Sequence, residues 1–126
     1  MMSTKSIPRQ MGTRSSEKMA AEFPDGIAIE TVWAIEAAYS ADAATRRQPV
    51  RDEHVARAAE LRRMGTIIEV GAFLDMSGSL LLVRAASEEE ALAIVRDDVY
   101  FRTGVWTGFR ARLFGRVARQ DELPGA

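Results

Sequence analysis

Alternation dominates IAIETVWAIEAAY, residues 27–39. Ile27, Ile29, Thr31, Trp33 and Ile35 fall on one side at period two, and Ala28, Glu30, Val32, Ala34 and Glu36 on the other. This predicts a strand, opened by a turn at Pro24, Asp25 and Gly26. The polar SADAATRRQP, 40–49, predicts a loop. The period then changes. Val50, His54, Ala58, Leu61 and Gly65 recur at helical steps in VRDEHVARAAELRRMG, flanked by Val55 and Met64, while Arg57, Glu60, Arg62 and Arg63 occupy the remainder. Pro49 suits the start of this helix, Asp52 and Glu53 its first turn, and Gly65 its stop. TIIEVGAFL (66–74) and SLLLVRA (79–85) predict a hairpin about the turn DMSG, with Gly78 as the residue expected at positive φ. Ser87, followed three residues later by Glu90, predicts a capped helix over SEEEALAIVRDD. DVYFRTGVW, 98–106, reads as a turn or a brief helix. VWTGFRARLFGRVA, 105–118, alternates again and predicts the last strand, with Phe109, Ala111, Leu113, Gly115 and Val117 opposite Arg110, Arg112, Phe114 and Arg116.

The order strand, helix, strand, strand, helix, strand is that of an α+β, ferredoxin-like split βαβ fold: a four-stranded antiparallel sheet with two helices on one face. The other face is not cleanly polar, since Trp33, Ile35, Ile67, Leu81, Val83 and Phe114 are divided between the two sides. A sheet apolar on both faces needs a second cover, and another copy of the same sheet is the economical one, so a homodimer is expected. The expected organisation is an N-terminal extension over 1–25, a domain over 26–119 and a polar, fraying C-terminal tail over 120–126. The extension lacks apolar periodicity and reads as flexible or loosely docked, with a transit peptide or an arm reaching onto a partner as the other readings.

Composition narrows the chemistry. Of 126 residues, 47% are hydrophobic and 28% charged, as in an ordinary globular domain. With 17 basic and 18 acidic residues, the formal net charge of -1 argues against a dedicated nucleic-acid binder. There is no cysteine and one histidine, His54, so disulfides, thiolate chemistry and a Cys/His zinc site are excluded. No ligand spacing suggests another metal, and no cofactor is expected. The cysteine-free composition fits the cytoplasm. No apolar run reaches the ~20 residues of a membrane span, and the N-terminus lacks a secretory core. An unperturbed imidazole titrates near ~6.5, so His54 is the first candidate for proton transfer near neutral pH. The other reading is a structural histidine packed against the sheet with both nitrogens bonded.

The R-x-x-H of Arg51–His54, the G-S of Gly78–Ser79 leading a strand, and the D-x-Y of Asp98–Tyr100 followed by Gly104 resemble the YCII-related family, from about Ile27 to Val117. The resemblance implies a dimeric α/β barrel of two face-to-face sheets, with a site around a histidine on the first helix and an aspartate just after the second. Those positions are His54 and Asp98. Most members lack an assigned reaction; a related enzyme of chloroaromatic breakdown eliminates chloride, and the wider superfamily includes lactone isomerases and small monooxygenases. Val99 stands where the family usually has proline, which leaves the chain after Asp98 less constrained. The DMSG turn is also shorter than in many members.

On this basis Asp98 would orient His54, and the pair would suit removal of a proton beside a carbonyl, followed by elimination or isomerisation. Asp98 has a structural alternative as the cap of a short helix. Arg51 and Ser79 would hold an anionic oxygen, and Tyr100 would line the pocket, although each also fits an ordinary surface, turn or core role. Arg110, Arg112 and Arg116 would bind an anion or pair with acids of a partner, such as Glu30, Glu36 or Glu69. Trp33 and Trp106 read as core or interface anchors. The expected function is a cofactor-independent lyase or isomerase acting on a small polar or cyclic metabolite. The alternative is a non-catalytic, small-ligand-binding or accessory dimer domain. Neither reading involves nucleic acid or a membrane.

Overall fold

The structure is a computed structural model and describes residues 23–125. The expected N-terminal extension lies outside the described residues up to position 22. Strand β1 spans Ile27–Tyr39, α1 Ala43–Arg46, α2 Arg51–Arg63, β2 Ile67–Ala72, β3 Gly78–Val83, α3 Glu88–Arg96, α4 Val99–Arg102 and β4 Trp106–Arg119. The four strands form one antiparallel sheet in the order β2-β3-β1-β4, the ferredoxin-like arrangement. The described residues divide into two compact units, residues 32–114 and the flanking segments 23–31 and 115–125.

In the larger unit the register sets Trp33 opposite Val83, Ile35 opposite Leu81 and Ala37 opposite Ser79, with Ile67 beside Val83 and Val70 beside Leu81. These side chains share a core with Ala91 and Val95 of α3, Val99 and Tyr100 of α4, and Trp106. Trp33, Ile35, Ile67, Leu81 and Val83 therefore all lie on the helix-covered face, not divided between two faces. The open face is apolar through other residues. Ala34 pairs with Leu82 and Glu36 with Leu80, and an apolar trough of about 390 Å³ runs along Gly71, Phe73, Leu80 and Leu82.

Local chemistry accounts for the helix ends. The Ser87 hydroxyl accepts from the Glu90 amide at 3.1 Å, and the Glu90 carboxylate accepts from the Ala86 amide at 3.1 Å. This is the capping box read from the sequence, closed one residue further out. Gly65 stops α2 at φ 84°. The 40–49 segment is not a plain loop: it holds α1 and a 3-10 turn over Gln48–Val50, with Ala43 buried beneath it. Two side chains tie the segment down, as Asp42 accepts from Ser40 at 2.9 Å and from Arg46 at 3.0 and 3.1 Å.

Met76, at φ 63°, takes the positive-φ position expected of Gly78. Gly78 serves a different need. A β-carbon there would lie 2.3 Å from the Ala37 carbonyl oxygen, so only glycine lets β1 and β3 approach. Gly78→Ala is expected to destabilise the fold by about 1–3 kcal/mol through overpacking, read as a lower urea midpoint at unchanged m-value.

In the smaller unit, Arg116 pairs with Glu30 at 2.8 Å and with Glu122 at 2.9 Å, and the Gln120 amide donates to the Gly26 carbonyl at 2.7 Å. The expected fraying tail is thus a 3-10 turn over Gln120–Glu122. The turn at Pro24–Gly26 is present, with Ile27 N bonded to Pro24 O at 3.2 Å and Gly26 at φ 83°.

Candidate active site

Asp98 sits at the junction of two helices. The α3 ladder ends with the Asp98 amide on Val95 O at 3.1 Å, and Asp98 itself is extended, at φ -80° and ψ 143°. Its Oδ1 accepts from the Tyr100 amide at 2.8 Å, which caps α4. Proline after Asp98 would enforce the same extended backbone. Here the cap does so, and Val99 uses its side chain in the core instead.

The capping carboxylate also faces α2. Oδ1 lies 2.8 Å from His54 Nδ1, and Oδ2 accepts from Arg57 at 3.0 Å. Arg57 spans further, to the Ile94 carbonyl at 3.0 Å, clamping α2 to the end of α3. The Asp98 side chain is 5% exposed and that of His54 12%. Burial alone would push the Asp98 carboxyl up, but hydrogen bonds from His54, the Tyr100 amide and Arg57 outweigh it and hold the group below its ordinary value of 3.8. Asp98 is therefore ionised at neutral pH.

Rings fix the imidazole plane. His54 stacks on Tyr100 at 3.7 Å between centroids and 8° between planes, and meets the edge of Trp106 at 5.4 Å. Trp106 Nε1–H donates to the Ser79 hydroxyl at 3.1 Å, and Ser79 donates to the Tyr39 hydroxyl at 3.4 Å. His54, Arg51, Ser79, Tyr100 and Tyr39 all line one cleft of about 360 Å³, with Ala58, Ala59, Val70 and Gly71 among its apolar walls. The sequence-predicted site residues are thus brought together, Asp98 lying beneath His54. No residue of α2 is fully buried: of the predicted core stripe, His54 and Ala58 line the cleft, while Leu61 packs half-buried against the core. The Tyr100 hydroxyl is kept protonated by burial. Among the described residues, no cluster of His, Asp and Glu is grouped to hold a metal ion, and no helix is long and apolar enough to cross a membrane.

Residues 31–114 match the model of the YCII-related domain. The chain belongs to the YCII-related family. Its fold is similar to that of 5-chloro-2-hydroxyhydroquinone dehydrochlorinase (TftG) from Burkholderia phenoliruptrix AC1100, solved in complex with 2,5-dihydroxybenzoquinone. The TM-score is 0.57 at 21% identity, over 64% of this chain and 90% of that one. No protein of curated function matches the sequence.

Four contributors to this YCII-related site escape a reading of the sequence. Arg57 looks like a solvated helix position, although it lies three residues after His54 and hence on a neighbouring face. Tyr39 precedes the segment 40–49 read as loop, and Arg47 lies within it. Trp106 was expected only as an anchor. Arg110 and Arg116 find their acids within the chain, in Glu36 at 3.3 Å and Glu30 at 2.8 Å, and Glu69 pairs with Arg62 at 2.7 Å, rather than waiting for a partner subunit.

Proposed function

We propose that this YCII-related protein is a cofactor-independent enzyme of the lyase or isomerase kind, transferring a proton on a small polar or cyclic metabolite. The supporting observation is the 2.8 Å contact between an ionised, buried Asp98 and Nδ1 of His54, whose ring lines the cleft. With Asp98 accepting the Nδ1 proton, the Nε2 lone pair becomes the base, and Nε2 has no partner among the described residues. His54 takes a proton from the carbon or hydroxyl beside a carbonyl. The electron pair moves toward the carbonyl oxygen, where Arg51 and the Tyr100 hydroxyl stabilise the developing charge, with Ser79 and Tyr39 polarising the floor. In an elimination a halide then leaves with its bonding pair; in an isomerisation the proton returns to another carbon. The fold neighbour is a dehydrochlorinase, so elimination of chloride from a chlorinated hydroxyhydroquinone is the first reaction to assay. Chloride release or lactone isomerisation by the purified protein supports this reading. Binding of such molecules without turnover would make the chain a ligand-binding module instead.

We further propose a cytoplasmic homodimer in which two open sheet faces cover one another. Leu80 and Phe73 are large apolar residues left exposed on that face. Analytical ultracentrifugation at micromolar concentration is expected to give a dimer, and Leu80→Arg a folded monomer. A monomeric wild type would contradict the pairing.

A further inference from the structure

Charge is unevenly compensated around the cleft. Four arginines lie on or near it, and two are neutralised: Arg62 by Glu69 at 2.7 Å, and Arg57 by Asp98 at 3.0 Å. Arg47 and Arg51, both lining the cleft, have no acidic partner among the described residues. The contrast with the neighbouring position is sharp, since Arg46 is held by both carboxylate oxygens of Asp42. Arg47 is not loose for want of an acid. Its guanidinium stands 6.0 Å over the ring of Tyr39, a cation–π contact that holds the cation at the cleft wall. Among the described residues no carboxylate lines the cleft, in a protein whose formal net charge is -1. Both Arg47 and Arg51 oppose the effect of burial on the Tyr100 hydroxyl, which places both cations in the field of that group. Tyr100 is 2% exposed, and its hydroxyl has no hydrogen-bond partner among the described residues. A buried donor without an acceptor, lining the same cleft as two cations without anions, favours negatively charged oxygen there.

We propose that Arg47, held by Tyr39, is a specificity-determining residue that together with Arg51 and Tyr100 selects a small monocyclic acid, bearing a carboxylate or an ionised enol, over its neutral counterpart. The proposal rests on the proton-transfer reading of the same cleft, and names its substrate class. The small, apolar Ala58, Ala59 and Gly71 leave room for a flat ring, and the volume of about 360 Å³ suits one ring with its substituents.

Isothermal titration calorimetry with 2,5-dihydroxybenzoate and its uncharged isostere 2,5-dihydroxybenzamide tests it. The wild type is expected to bind the acid at least ~10-fold more tightly than the amide, the scale of a charge-assisted contact. Arg47→Met should bring the two affinities within about threefold of each other, while Arg47→Lys, which keeps the charge but not the planar fork, retains part of the preference. His54→Gln is expected to keep the full preference, so that loss of selectivity and loss of turnover separate. Equal wild-type binding of acid and amide, or an undiminished preference in Arg47→Met, overturns the proposal. Wild-type turnover in His54→Gln would overturn the proton-transfer reading, whatever the selectivity.

Discussion

His54→Gln is expected to lower kcat by about 10²–10⁴-fold on any substrate the wild type turns over, the contribution of one positioned general base. Glutamine keeps a donor within reach of Asp98 but offers no basic nitrogen to the cleft. The loss should fall mainly on kcat, because Arg51, Tyr100 and the apolar walls that hold the ligand are untouched. Stability should change less: the stacked contact with Tyr100 goes, at a cost of about 0.5–1.5 kcal/mol. Steady-state kinetics beside a thermal melt checks both. Unchanged kcat in a folded variant would remove His54 from the chemistry and leave it as a packing residue.

The fold was readable because period two and period 3.6 separate cleanly in this chain, and because Ser87 with Glu90 and Gly65 mark helix ends chemically. Where the sequence misled, the missing information was register. Knowing that β1 alternates does not say which side meets the helices. Only the pairing of Ile35 with Leu81 and of Ala34 with Leu82 sorts the apolar residues into a core face and an open face. On the other side of β1, Arg110 of β4 reaches Glu36, so acids that seemed available for a partner are already engaged. A helix as short as α1 carries too few residues for a period to show, which hid Arg47. The site was half legible: His54 stands out by rarity and Asp98 by its motif. The third member, Arg57, carries no mark of its own, and its role appears only when α2 and α3 converge on Ile94 O and Asp98. Asp98 also shows why the two readings of it did not compete. One carboxylate caps α4 through Oδ1 and fixes the imidazole through the same oxygen, so the structural and chemical roles are a single arrangement.

That sharing makes Asp98 the most costly residue to remove. Asp98→Ala leaves Arg57 and His54 without their acceptor, a loss of about 3–5 kcal/mol for breaking a buried pair. The cap on α4 accounts for about 1 kcal/mol of that. Asp98→Asn separates the charge from the cap: with its amide oxygen in the place of Oδ1, asparagine still caps α4 and still accepts from His54, but it carries no charge and turns its NH2 toward the Arg57 guanidinium. Its stability should fall between those of the wild type and Asp98→Ala, while kcat drops by about 10²–10³-fold because no negative charge stabilises the imidazolium that forms when His54 takes up a proton. The pH dependence carries a second signature. Hydrogen bonding holds the folded-state value of Asp98 below 3.8, so the unfolded chain takes up the proton first as pH falls. The stabilisation is therefore complete well above 3.8 and is lost as pH drops through 3.8 toward the folded-state value. Urea titrations repeated down this range should show the wild type losing stability steeply, and Asp98→Asn, with nothing to protonate there, losing less over the same interval. An Asn variant that matched the wild type in stability at neutral pH and in its acid limb would mean that the Asp98 charge holds nothing together, and with it would fall the ionised acceptor on which the base assignment of His54 depends.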